Sequence, residues 1–253
     1  MTTSRPRLPR THSRFLLLSI RADDAAADEE YDAVRTFAGL EPAQLHRIRL
    51  THEPLGSIRL DDWRGIILGG GPYNVTDPHE TKSEPQRRTE SAMQALLDEI
   101  VTRDFPFLGC CYGIGTLGTY IGAALDRKYS EPVGGTSIEL TAEGRRDPLM
   151  AGLPERFDAF VGHKEAISAL PEHAVLLASS AMSPVQAFRV GNNVYATQFH
   201  PELDVAGMLT RIDVYKHHGY FAPETADALK ERVQEFDVAH PPSILRTFVK
   251  LYG

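Results

Sequence analysis

The stretch that most limits what this chain can become is Gly109-Cys110-Cys111-Tyr112-Gly113. A short apolar run, Phe105–Gly109, leads into it, and a helical pattern reaching about Ala123 follows it. A strand that turns this sharply into a helix belongs to a sheet with helices packed on it. Glycine at both outer positions permits the turn and keeps other side chains clear. The form G-x-C-x-G is the thiol version of a nucleophile elbow. Centred on Cys111, both flanking positions are glycine; centred on Cys110, they would be Leu108 and Tyr112. Cys111 is therefore the candidate nucleophile, and Cys110 reads as a small buried residue. The following helix points its N-terminus at the thiol and favours the thiolate.

The rest of the chain agrees with an α/β plan. Apolar runs at Phe15–Ile20, Leu45–Leu50, Gly65–Leu68 and Val194–Phe199 alternate with helical spacings, as a mostly parallel sheet requires. One helix is expected from about Glu29 to Phe37 and another over Glu90–Val101, with a polar loop from Pro78 to Pro85. Residues Tyr129 to Phe188 are richer in β-branched residues and turn signals and read as an antiparallel extension. From Leu203 onward the pattern is helical, broken near Gly219–Pro223 and Pro241-Pro242. Residues 1–14 are expected to be a loose tail. Residues 15–253 are expected to be a single domain, with 204–253 as its helical tail. His217-His218 reads as a surface pair.

Composition removes some function classes. A net charge of -7 argues against nucleic acid as the main partner, since phosphate binding needs a basic face. The only two cysteines are neighbours, and adjacent residues cannot form an ordinary disulfide. A reducing, cytoplasmic setting is the expectation. Phe15–Ile20 is far too short to span a membrane, so no membrane association is expected. No motif of metal-ligand spacing is present, and neither a metal nor a cofactor is expected.

A thiol nucleophile needs a base and a group that orients the base. His200 and Glu202, at the end of the strand Val194–Phe199 and separated by Pro201, suit those two roles. Acyl transfer also needs N–H donors for the developing oxyanion. Gly69-Gly70-Gly71-Pro72, after the strand Gly65–Leu68, allows a close backbone approach, and the N–H of Tyr112 would be a second donor. A Walker-type phosphate loop is excluded, because no Lys-Ser/Thr follows these glycines.

Together these stretches resemble the class I (triad) glutamine amidotransferases. Ile66-Ile67-Leu68-Gly69-Gly70-Gly71-Pro72 is similar to that family's I-L-S-G-G-P signature, with Gly69 in place of serine. Gly109–Gly113 is similar to its G-x-C-x-G element, and Gln198-Phe199-His200-Pro201-Glu202 matches its Q-F-H-P-E element in full. Cys111-Tyr112-Gly113 and Pro184-Val185-Gln186-Ala187-Phe188 resemble most the glutaminase domain of GMP synthetase and its stand-alone relatives. The resemblance covers roughly residues 15–203. It implies a flavodoxin-like three-layer sandwich with a mostly parallel central sheet and a small antiparallel extension. It further implies hydrolysis of the glutamine γ-amide through a cysteine thioester, with Cys111, His200 and Glu202 as triad and Gly71 and Tyr112 as oxyanion donors. Gly70, Gly115 and Glu165 fall in the implied substrate site. Glu165, within Gly162-His163-Lys164-Glu165, would meet a substrate α-amino group. The family usually has glutamine where this chain has Gly115, which leaves glutamine or another γ-glutamyl compound open as substrate. Nothing after Glu202 looks like an ATP-using synthetase, so any ammonia acceptor calls for a separate synthetase chain as partner. A stand-alone γ-glutamyl hydrolase or peptidase and a non-catalytic regulatory relative are the alternatives. The sequence leaves the oligomeric state open.

Overall fold

A computed structural model describes residues 14–217 and 219–253. The expected loose tail at 1–14 therefore lies outside the described residues except for its last position, as does His218; His217 is exposed. The chain runs β1 (Phe15–Ser19), α1 (Asp24–Ala38), β2 (Leu45–Arg49), β3 (Gly65–Leu68), α2 (Glu84–Thr102), β4 (Phe107–Cys110) and α3 (Tyr112–Tyr120). It continues through β5 (Ala124–Asp126), β6 (Glu131–Leu140), β7 (Arg156–His163), β8 (Ala166–Ala169), β9 (Ala174–Ser180), β10 (Ala187–Val190) and β11 (Val194–Thr197). Three helices close it: α4 (Val205–Tyr215), α5 (Ala226–Val233) and α6 (Pro242–Tyr252).

Nine strands form one sheet in the order β2-β1-β3-β4-β11-β10-β9-β6-β7. The pairings from β2 through β11 are parallel. Those from β11 through β7 are antiparallel. The antiparallel strands thus continue the central sheet rather than forming a layer of their own. A separate pair, β5 with β8, lies outside it.

Strand β1 shows why the sheet is covered on both faces. All five of its residues are buried. Side chains alternate across a strand, so Phe15 and Leu17 join one core with Ile67, Leu108 and Phe248. Leu16 and Leu18 join a second with Met93, Leu97 and Leu117. Helices α1 and α6 supply the first layer, and α2 and α3 the second. Truncating a fully buried leucine such as Leu17 to alanine costs about 2–5 kcal/mol in sites of this kind.

Two helices begin earlier than apolar spacing indicates. Asp23 caps α1 by accepting from the Ala26 N–H at 3.0 Å, so the acidic, alanine-rich stretch is already helical. Ser83 caps α2, and a proline sits in its first turn, where its missing N–H costs nothing. The expected loop at 78–85 therefore ends at Ser83. The C-terminal helices are parts of the core. The Phe248 ring on α6 lies 6.0 Å from that of Phe15. Helix α4 buries Met208, Arg211 and Ile212, and that arginine takes part in the site.

Candidate active site

Strands β3, β4 and β11 are neighbours, and the three motif stretches follow their carboxyl ends. Active sites of open α/β sheets gather at that edge.

Cys111 stands between β4 and α3 with φ 51 and ψ -91, a region that costs an L-residue on the order of 1–3 kcal/mol. Its N–H donates to the Thr197 carbonyl at 2.8 Å, tying the elbow to β11. A Cβ on Gly109 would lie 2.8 Å from the Gly113 carbonyl carbon, so the turn closes only with glycine there. The thiol stands at the positive end of α3. Its neighbour Cys110 is 2% exposed, and burial pushes that thiol up, out of reactive range.

His200 is held by its own N–H, which donates to the Phe160 carbonyl at 3.0 Å. Its Nδ1 lies 2.7 Å from Glu202 Oε1. That carboxylate fixes the proton on Nδ1 and leaves Nε2 for the Cys111 thiol, the ring's other hydrogen-bond partner. Burial disfavours a charged imidazole. The charge of Glu202, the charge interaction with Cys111 and the hydrogen bonds to both outweigh it and raise His200 from 6.5 to about 9.

Glu202 is buried at 1% exposure. Burial works against its charge, but His200, Arg211 and Arg21 hold it well below the ordinary carboxylate range. Arg211 Nη1 donates to Glu202 Oε1 at 3.1 Å, and Arg21 Nη2 lies 4.0 Å from the same oxygen. Both arginines are themselves held by acids. Arg21 Nε donates to Glu30 at 2.8 Å, and Arg211 Nε donates to Glu29 at 3.2 Å.

The glycine loop after β3 is packed against this pair. A Cβ on Gly70 would sit 2.6 Å from His200 Cε1 and 3.2 Å from Cys111 Cβ. On Gly71 it would strike Ile20 at 2.6 Å. Both motif departures also have a physical reading. At Gly69 a Cβ would come within 2.6 Å of Glu30 Oε1, and at Gly115 within 2.9 Å of Glu165 Oε1. Each missing side chain thus leaves space that a buried carboxylate occupies. Glu165 is fixed there by the N–H groups of Val75 and Thr76 at 2.9 and 2.8 Å and by the Thr76 hydroxyl at 2.6 Å.

Two cavities meet at the thiol, with empty volumes of about 480 and 440 Å³. Gly71, Cys111 and Tyr220 line both. Gly115, Tyr112, Glu165 and Gln198 line the second, whereas His200 and Arg211 line the first. The Gln198 Oε1 is buried without a hydrogen-bond partner. Tyr220 follows α4, and the Lys164 ammonium lies 5.3 Å from its ring centre. Burial, then the charge of Cys111, pushes its hydroxyl up and keeps it protonated. The structure therefore gathers Cys111, His200, Glu202, Gly70 and Gly71 at one place, with Tyr112, Gly115 and Glu165 along the second cavity. Motif reading missed Arg21, Arg211 and Tyr220, and it named Gln198 within the Q-F-H-P-E element without a role of its own. One signal was present for Arg211, a charged residue inside the apolar stripe of a helix.

Fold and site together are those of a mixed α/β protein with a Cys-His-Glu constellation at the edge of its parallel strands. The model of the class-I glutamine amidotransferases matches residues 33–220, and the chain belongs to that family. It is 34% identical over 180 residues to a glutamine-hydrolysing GMP synthase of Thermomicrobium roseum, covering 65% of this chain and 30% of that one. The same enzyme of Petrotoga mobilis is 27% identical over 151 residues, 58% of this chain and 26% of the relative. The chain thus spans less than a third of the length of these relatives. A glutamine amidotransferase structure from Thermotoga maritima superposes with a TM-score of 0.73 at 21% identity, covering 95% of this chain and 98% of that one. A glutamine amidotransferase structure from Methylobacillus flagellatus gives 0.68 at 16% identity, covering 96% and 94%. These two likenesses concern the fold. Among the described residues no helix is long and apolar enough to cross a membrane.

Proposed function

We propose that this chain hydrolyses the side-chain amide of glutamine, or a closely related γ-glutamyl amide, through a thioester on Cys111. The observation that carries the reading is the strained Cys111 beside a His200 whose other nitrogen is 2.7 Å from Glu202. A thiolate–imidazolium pair suits the first half-reaction. The Cys111 sulfur attacks the amide carbon while the N–H groups of Gly71 and Tyr112 bind the oxyanion. The C–N bond breaks as His200 gives its proton to the leaving nitrogen, and a γ-glutamyl thioester remains. Water then attacks, with His200 taking its proton. The thiolate departs and glutamate is released.

The second cavity is the place for the glutamyl end. Glu165 and the unpartnered Gln198 Oε1 offer acceptors there for an α-ammonium. Residues 15–253 act as one unit in this reading, because Arg211 from the C-terminal helices supports Glu202. Two free cysteines suit a reducing, cytoplasmic setting. Transfer of the ammonia would fall to a synthetase, a role that the likeness to glutamine-hydrolysing GMP synthases supports. A second reading, a stand-alone γ-glutamyl hydrolase, is favoured by the Glu165 carboxylate standing against Gly115.

Glutamate release by the purified chain from glutamine and from γ-glutamyl peptides, with Cys111→Ala as control, tests the proposal. Release that disappears in the variant supports it. Release that survives the substitution sinks the thioester mechanism.

A further inference from the structure

The two cavities at Cys111 differ in one respect that bears on the substrate: His200 lines only the first. When the tetrahedral intermediate collapses, the proton of His200 goes to the leaving nitrogen. Whatever that nitrogen carries must therefore lie on the His200 side. Leu203, Met208, Ile212, Phe221, Val133 and Val161 wall the cavity there. Arg21 and Arg211 also reach it; their charge is answered by Glu29, Glu30 and Glu202, and among their nitrogens Arg211 Nη2 alone is buried without a hydrogen-bond partner. An uncharged apolar group suits such a wall better than an ion. With its open mouth included, the cavity holds about 480 Å³ of empty space, far more than the roughly 30 Å³ that one water takes up in the liquid. Ammonia has no carbon to place in it.

We propose that this cavity is a leaving-group subsite and that the preferred substrates are γ-glutamyl amides of primary amines bearing a short apolar chain of about two to four carbons. The inference rests on the thioester reading above. The balance is the same: the sulfur–carbon bond forms, the amide C–N bond breaks, the imidazolium proton passes to the amine, and water later releases glutamate.

The test compares kcat/KM of the full chain on glutamine and on its N-ethyl, N-propyl and N-butyl γ-amides. A buried methylene is worth about 0.8 kcal/mol, or roughly fourfold in rate constant. The expected series rises by about that factor per carbon, to on the order of 50-fold at propyl. Val133→Phe, which fills the cavity from a half-buried position, should bring the propylamide-to-glutamine ratio down towards one. A series that is flat or falls from glutamine to propylamide overturns this inference and leaves the thioester mechanism standing. Absence of any Cys111-dependent hydrolysis overturns both.

Discussion

Among the described residues two histidine–glutamate pairs are buried, and only one of them stands beside the Cys111 thiol. His163 Nε2 lies 2.9 Å from Glu131 Oε2, and His200 Nδ1 lies 2.7 Å from Glu202 Oε1. Exposure does not separate them, since both histidines are 7% exposed. The other ring nitrogen does. In His163 it is bound to the Glu165 carbonyl at 2.9 Å, so both nitrogens are committed to the protein. In His200 it is left for a thiol. Glu131 is also held by the Gln186 amide at 2.6 Å, a neutral partner, whereas Glu202 is flanked by two arginines. The first arrangement fixes the backbone of Glu165 at the cavity wall. The second keeps a carboxylate ionised and a proton in play.

This contrast can be broken most sharply at the rings. His200→Ala is expected to lower kcat by about 10⁴, the upper range for a lost general acid and base, with little change in melting temperature once the two proteins are compared above the pH of about 9 at which the ring loses its proton. His163→Asn should do the reverse. It strands Glu131 and costs about 2–3 kcal/mol, a melting temperature lower by on the order of 5–10 °C, and less than tenfold in kcat. Equal losses of kcat in two well-folded variants would erase the distinction.

Glu202→Gln comes next, with kcat expected to fall by roughly 10²–10³. The carboxylate raises His200 to about 9, so removing it should move the alkaline limb of the rate profile to lower pH. A limb that stays near 9 would show that Glu202 does not set the charge on the ring. Gly70→Ala forces a carbon against His200 and Cys111 and should lower kcat about 10–100-fold, as small misplacements of reacting groups do. An unchanged kcat would mean that the pair can shift freely.

The smallest effect concerns stability. His200 titrates at about 9 in the fold against 6.5 ordinarily. Stabilisation by its protonated form is therefore complete below 6.5 and lost as pH rises through 9. The melting temperature of the wild type, relative to His200→Ala, should decline between pH 6.5 and 9.5. A constant difference over that interval would contradict the raised value.

Much of this was legible in the sequence. Short apolar runs fixed the positions of β1, β3 and β4 because strands buried on both faces leave no polar gaps. The elbow and the His200-Pro201-Glu202 turn were visible because local geometry demands glycine and proline at set spacings. The arginines were not, since each joins one acid near it in sequence to one far away: Arg211 meets Glu202 and also Glu29, and Arg21 meets Glu30 and stands 181 positions from Glu202 (202 minus 21). A motif search asks about neighbours in sequence, and a salt bridge between two helices leaves no spacing to find. A weaker trace did exist. Glu30 and Arg211 each interrupt the buried stripe of their helix, and a charge at such a position needs a buried partner.

The carboxylates beneath Gly69 and Gly115 bear on the order in which this sequence can change. A serine at 69 meets Glu30 before it gains anything, and a glutamine at 115 meets Glu165. Each motif residue is thus epistatic to an acid, Glu30 at 39 and Glu165 at 50 positions' remove (69 minus 30; 165 minus 115). Restoring the commoner residue first passes through a crowded intermediate, whereas shortening the acid first does not. An engineer who grafts the usual signature onto this scaffold one residue at a time would find that the direct path must displace a hydrogen-bonded carboxylate, whereas the two-step path need not.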